Sequence, residues 1–220
     1  MPKAVNENRP GLLRDPFSSL SHITFAVLAL PVTAVLICLA ALRATPWHIV
    51  SFALFGAALV LLYTASGVYH AVRVSKRALL ALKKVDHMMI FVLIAGTYTP
   101  ICLITLRGVW GFSLLAVIWT LAAAGIVLKL LWINAPRPVS TLIYLGMGWS
   151  ALLVFYQLIR ATTAAELTLI LAGGAAYTAG AVFYALKKPR IRSWFGFHEI
   201  FHIFVMLGSV LHIILMFMLI

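Results

Sequence analysis

Residues 19–42 read SLSHITFAVLALPVTAVLICLAAL and contain no Asp, Glu, Lys or Arg. About 20 apolar residues coiled as a helix are enough to cross the roughly 30 Å hydrocarbon core of a bilayer. The segment is longer than the apolar part of a cleaved signal peptide. We therefore expect it to remain in the protein as a transmembrane helix.

Six more apolar segments follow, separated by short connections. Hydrophobic residues make up 64% of the 220-residue chain and charged residues only 10%, whereas a soluble domain is about half apolar and a quarter charged. The sequence therefore predicts an all-α membrane protein: a tail at residues 1–18, then a seven-transmembrane helix bundle at 19–220 with no room for a soluble domain. The predicted spans are 19–42, 48–72, 86–106, 109–131, 138–159, 165–186 and 195–219.

The 17 basic residues are divided unequally between the two sides of the predicted bundle. Fourteen lie in the tail or in the second, fourth and sixth connections, and three on the other side: Arg43, Arg107 and Arg160. Because cytoplasmic loops are enriched in Lys and Arg, we expect a multi-pass protein of the cell membrane with a cytoplasmic N-terminus and an external C-terminus. The net charge of +12 follows helix ends, so membrane lipid is the expected partner and nucleic acid is not.

Histidines near one end of the bundle are candidates for a metal site, since ionisable groups within a bilayer are costly. His198 and His202 are four residues apart and share a helix face, a spacing that suits two ligands of one Zn²⁺ ion. Alternating span directions bring His70 to the same leaflet, where it would supply a third nitrogen. The pattern predicts a zinc site formed by His70, His198 and His202, with a fourth position for water.

Asp86 and Ser66 are the candidate catalytic residues. Asp86 begins the third predicted span and would balance the charge of the ion, directly or by holding its water. Ser66, one turn before His70, would bond to the same water or to Asp86. Asp86 also suits the N-cap of the third span, where the helix dipole favours an anion.

Other polar residues have simpler interpretations. Glu199 suits the first turns of the last span, facing headgroups or a basic loop, and His22 and His87 suit the membrane interface. His212 lies roughly 15 Å beyond His202 by helix rise, so it would line a polar cavity rather than share the metal. Residues 198–202 also match the H-E-x-x-H pattern of zinc proteases, but five-residue matches arise by chance.

Four motifs give the chain a family resemblance, and they are Ser66-Gly67-Val68-Tyr69-His70, Asp86-His87, Gly96-Thr97-Tyr98-Thr99-Pro100 and His198-Glu199-Ile200-Phe201-His202, with His212 beyond. With these motifs on seven spans, the sequence resembles the bacterial hemolysin III family, which is related to the progestin and adipoQ receptors. The resemblance implies zinc near the cytoplasmic face, bound by His70, His198 and His202. It also implies that Asp86 contacts the zinc through water and that Ser66 lies beside it.

Four functions remain open from the sequence. The first is a zinc-dependent hydrolase of a lipid amide or ester, with its substrate in an intramembrane cavity. The second is a non-enzymatic regulator or sensor of membrane state with structural zinc. The third is the cytolysin that the family name implies, and the fourth is a proton or ion pathway through Asp86, the histidines and His212.

Overall fold

The computed structural model describes residues 12–192 and 194–220, and the regular elements within these ranges are helices. Eight α-helices follow in chain order: α1 Pro16–Arg43, α2 Pro46–Ala71, α3 Lys76–Pro100, α4 Val109–Leu131, α5 Arg137–Gly148, α6 Phe155–Ala161, α7 Ala164–Leu186 and α8 Phe197–Met218. A π-helical turn, Ile101–Thr105, extends α3, and a 3₁₀ segment, Ser150–Val154, joins α5 to α6. The π-turn directly follows Pro100, which cannot continue the α-helical hydrogen-bond ladder.

The described residues form seven segments long and apolar enough to cross a membrane, which confirms the predicted number of spans. The fifth span, Pro138–Ala161, combines most of α5 with the 3₁₀ segment and α6. Large apolar side chains such as Leu61, Leu142 and Ile159 are exposed on the outside. An apolar surface of this kind suits contact with lipid rather than water.

Glycines permit close contact between neighbouring helices. A Cβ atom at Gly96 of α3 would lie 2.5 Å from the Cβ of Ala58 on α2. A Cβ at Gly208 of α8 would lie 2.7 Å from the ring of Tyr177 on α7. Small residues at such crossings let transmembrane helices gain packing contacts that lipid cannot supply.

Two hydrogen-bonded contacts fix which helix ends meet. The backbone N–H of Asp15 donates to the carbonyl of His70 at 3.0 Å, which joins the start of α1 to the end of α2. At the opposite end, Nε2 of His48 lies 3.1 Å from the carbonyl oxygen of Leu219 and joins the start of α2 to the end of α8. The start of α1, the end of α2 and the start of α8 therefore lie at one end of the bundle.

The third helix begins earlier than predicted, at Lys76 instead of residue 86. Its N-cap is Ser75, whose side chain accepts a hydrogen bond from the backbone N–H of Ala78 at 3.3 Å. Hydropathy detects only the apolar part of a helix, while helical hydrogen bonds also form where long basic side chains reach towards water. Asp86 lies about three turns into α3, so the expectation that it caps this helix is wrong.

The first helix also begins earlier than the predicted boundary of the tail. It starts at Pro16, a residue whose fixed backbone angle suits the first helical position, so the tail ends at residue 15 rather than 18. Residues 1–11 of that predicted tail lie outside the described residues.

Candidate metal centre

Three histidines meet at the end of the bundle where α2 finishes and α8 begins. His70 occupies the last turn of α2, and His198 and His202 occupy the first turns of α8. One ligand atom from each lies within 4.8 Å of the others, and Nε2 of His70 is 3.3 Å from Nε2 of His198. His70 and His202 are buried, with exposed fractions of 4% and 2%. The three residues predicted as metal ligands are thus neighbours in the structure.

One distance in this cluster matches the spacing of two ligands on a zinc ion. Two nitrogens bound to one Zn²⁺ at 2.0–2.1 Å in a tetrahedron are about 3.3 Å apart, which is the separation of the His70 and His198 nitrogens. Nδ1 of His202 is buried without a hydrogen-bond partner among residues 12–192 and 194–220. Neutral imidazoles are common zinc ligands. Zinc binding itself stays a prediction.

Asp86 and Ser66 form a pair beside the cluster. Ser66 and His70 both lie close enough to the Asp86 carboxylate to interact with it electrostatically. Asp86 Oδ2 also lies 3.4 Å from Nδ1 of His87. The group of ligand atoms that lie within 4.8 Å of one another comprises the three histidines and does not include Asp86. Its position is that of a neighbour to the metal ligands.

Asp15 belongs to this centre, although the sequence assigned it to the tail. Its Oδ2 atom lies 3.1 Å from Nδ1 of His70 and accepts a hydrogen bond from Nε of Arg14 at 3.1 Å. Burial raises the pKa of the Asp15 carboxyl, but the hydrogen bonds from His70 and Arg14, with the charge of Arg14, outweigh that effect and lower the pKa to about 2. The sequence feature that could have indicated this contact is the position of Asp15 directly before the first span, at the same end of the bundle as the three histidines.

His22 is also part of the centre, and the expectation that it lies at the interface is wrong. It is buried, and its ring stacks on that of His202 with 3.9 Å between centroids. The ring of Tyr63 meets it edge-on at 4.9 Å. Neither nitrogen of His22 has a hydrogen-bond partner within the described part of the chain. The sequence feature that could have indicated this contact is the position of His22 in the same leaflet as the three histidines.

Glu199 has a structural role in α8. Its Oε2 atom accepts a hydrogen bond of 2.7 Å from the backbone N–H of Gly196, which caps the helix. The predicted position in the first turn of the last span is confirmed, but the side chain is buried and does not face headgroups. This contact makes Glu199 part of the N-terminal cap of α8.

His212 lies apart from the three-histidine cluster. Its ring is buried and stacks on Tyr177 with 5.6 Å between centroids. The hydroxyl groups of Tyr177 and Tyr63 both bond to the Ser209 hydroxyl, at 2.9 and 2.7 Å. This polar group links α2, α7 and α8 within the bundle.

Two apolar grooves lie between helices, and neither is lined by the three histidines. The larger has a volume of about 410 Å³ and lies between α1 and α8, where its lining includes Phe25 and Met206. Met206 is one helical turn beyond His202. The smaller, of about 260 Å³, lies between α5 and α7.

The fold and the cluster define a multi-pass helical membrane protein with three histidines gathered near one membrane face. The family model described as Haemolysin-III related matches residues 11–213, and the chain belongs to that family. It is 38% identical over 192 residues to the Hemolysin-3 homolog of Bacillus subtilis, covering 87% of each chain. Its identity to the Hemolysin-3 of Bacillus cereus is also 38% over 192 residues, covering 87% of this chain and 85% of that one.

A more distant relative is the human Monocyte to macrophage differentiation factor. It is 28% identical over 170 residues, which cover 76% of this chain and 68% of the human protein. These matches confirm the family resemblance read from the motifs. The bacterial relatives also indicate the plasma membrane as the location of this multi-pass protein.

Proposed function

We propose that this protein is a zinc-dependent hydrolase that cleaves an amide or ester bond of a membrane lipid. The observation that carries the proposal is the gathering of His70, His198 and His202 beside the Ser66–Asp86 pair. Three protein ligands with a fourth position for water are typical of catalytic zinc sites, whereas structural sites use four. When bound, zinc supplies Lewis acidity, which makes water more acidic and polarises a carbonyl group.

Asp86 acts as the general base. Its carboxylate accepts a proton from the water that adds to the carbonyl carbon, and it returns that proton to the amine or alcohol when the C–N or C–O bond breaks. The nearby Ser66 hydroxyl orients this carboxylate. The substrate is a lipid because His70 and His202 are buried among apolar spans, where a water-soluble substrate has little access.

We also propose that the metal-centre end of the bundle faces the cytoplasm. The segment before α1, and the connections and helix ends on this side, carry fourteen Lys and Arg residues, against three on the other side. The excess of positive charge in cytoplasmic loops supports this orientation. A lipid hydrolysed here would therefore be taken from the inner leaflet.

The proposal is tested by measuring zinc and hydrolysis on the same preparations. The parent, Asp86→Asn and Ser66→Ala would be purified in mild detergent without chelators and given a panel of N-acyl and O-acyl lipids. We expect about one zinc per chain in all three and fatty acid release by the parent. Asp86→Asn removes the general base, so its rate of fatty acid release should be about 10²–10⁴-fold lower than that of the parent. Ser66→Ala removes one polar contact to Asp86, and its rate should be about tenfold lower. A zinc-loaded parent with no release from any lipid contradicts the hydrolase proposal.

Structural zinc is the second candidate, and the near-complete burial of His70 and His202 favours it. Closed metal sites stabilise folds rather than bind substrate. A protein that holds zinc, loses stability without it and hydrolyses nothing would fit this role. The name Hemolysin-3 belongs to the Bacillus cereus relative, and we do not extend lysis to this chain because an exported pore-former needs a soluble form.

A further inference from the structure

The residues directly before α1 close over the end of α2. The backbone N–H of Arg14 donates to the carbonyl of Ala71 at 3.1 Å, and that of Asp15 donates to the carbonyl of His70 at 3.0 Å. The last four carbonyls of a helix have no partner within that helix. Two of these carbonyls in α2 are thus satisfied by the segment that leads into α1. This arrangement fixes the backbone of His70.

The side chain of Asp15 contacts the outer nitrogen of the His70 ring. Its Oδ2 atom lies 3.1 Å from Nδ1 of His70. An ionised carboxylate only accepts hydrogen bonds, so Nδ1 carries the proton and donates it. The lone pair is then on Nε2, the atom that faces Nε2 of His198 at 3.3 Å. Asp15 thereby turns the ligating nitrogen of His70 towards the metal centre.

Arg14 holds the carboxylate in place. Its Nε atom donates to the same Oδ2 of Asp15 at 3.1 Å, and its guanidinium carbon lies 4.3 Å from the centre of the Tyr69 ring. The side chain of Asp15 is 37% exposed, whereas that of His70 is 5% exposed. The carboxylate is therefore partly exposed at the surface of the bundle, while the histidine it contacts is buried.

We propose that Asp15 is a positioning residue of the metal centre, which fixes the tautomer and the ring orientation of His70. The inference rests on the zinc site of the proposed function but requires no catalysis. A carboxylate that accepts a hydrogen bond from the outer nitrogen of a zinc-bound histidine makes the ligand more basic, and losing it weakens metal binding by about 10–100-fold. Arg14 and Asp15, which directly precede α1, are then part of the metal centre.

The test is zinc affinity of the full chain in detergent, measured by competition with a chromophoric chelator. Asp15→Asn keeps the size of the side chain but removes its charge, and we expect it to raise the zinc dissociation constant by about 10–100-fold. Asp15→Glu keeps the charge and should recover part of the affinity. Glu166→Gln is the matched control because Glu166 caps α7 through Thr163 and does not contact the cluster.

A second readout separates positioning from a general loss of stability. The visible spectrum of the Co²⁺-substituted protein reports the ligand geometry, and we expect it to change in Asp15→Asn but not in Glu166→Gln. If the parent binds zinc and Asp15→Asn binds it equally tightly with an unchanged Co²⁺ spectrum, the role of Asp15 is wrong while the zinc site stands. If the parent binds no zinc, the zinc site and this inference fail together. If the parent binds zinc but hydrolyses no lipid, only the proposed hydrolase function is wrong.

Discussion

The rings of His22 and His202 stack with 3.9 Å between their centroids and 26° between their planes. The contact joins α1 to α8 across the centre of the candidate site. His202 is thereby held between the cluster of ligand atoms and a flat, buried partner on another helix. Its orientation depends on a residue that does not belong to the ligand group.

Removing the His22 ring should weaken zinc binding. His22→Ala leaves a void against one face of His202, so the ligand gains freedom to rotate. We expect the zinc dissociation constant to rise by about tenfold, measured by chelator competition. His22→Phe keeps a flat ring and should retain most of the affinity. Equal losses in the two variants would show that the nitrogens of His22 matter and that stacking does not.

Metal removal should destabilise the protein only when the cluster is intact. A ligand present at 100 times its dissociation constant stabilises the folded state by about 2.7 kcal/mol, which corresponds to roughly 5 °C or more in the thermal midpoint of a chain this size. A strong chelator should therefore lower the midpoint of the parent and of His212→Ala. The chelator should leave the thermal midpoint of His202→Ala unchanged. A chelator response in His202→Ala would place the metal elsewhere.

The Tyr63 hydroxyl should stabilise the bundle without affecting the metal. It donates to the Ser209 hydroxyl at 2.7 Å and also lies 3.2 Å from the carbonyl oxygen of Val205. Interhelical hydrogen bonds in membranes contribute about 0.6–2 kcal/mol, so Tyr63→Phe should lower the thermal midpoint by a few degrees at unchanged zinc content. Tyr177→Phe, which removes the other hydroxyl bonded to Ser209, provides a comparison of equal size. No change in stability would contradict the proposed contribution of this bond.

The crossing of α2 and α3 should be sensitive to a single methyl group. In Gly96→Ala the added Cβ would lie 2.5 Å from the Cβ of Ala58, so the two helices must separate. Overpacking of this kind costs about 1–3 kcal/mol, which thermal unfolding in detergent would detect. Gly146→Ala is the matched control because nothing lies within 4 Å of the added atom. Equal stability of the two variants would show that the crossing adjusts freely.

Much of the candidate site was predictable because it follows from helical spacing and from the alternating direction of the spans. The four-residue spacing of His198 and His202 places both on one helix face. Alternation of span direction brings His70 to the same end of the bundle. For Asp86 the sequence left two interpretations, a role beside the metal and the N-cap of the third span, and the N-cap is wrong because α3 begins at Lys76. Hydropathy could not locate that start within a basic segment.

By itself the sequence determined the seven spans and the grouping of the three histidines, since span length follows from bilayer thickness and helical spacing from the backbone. Only the tertiary structure brought Asp15 to His70 and His22 to His202. Such contacts depend on how each helix is rotated and where helices cross. Helices that are apolar nearly all round carry little periodic signal for that rotation, so side-chain contacts between them are decided by packing.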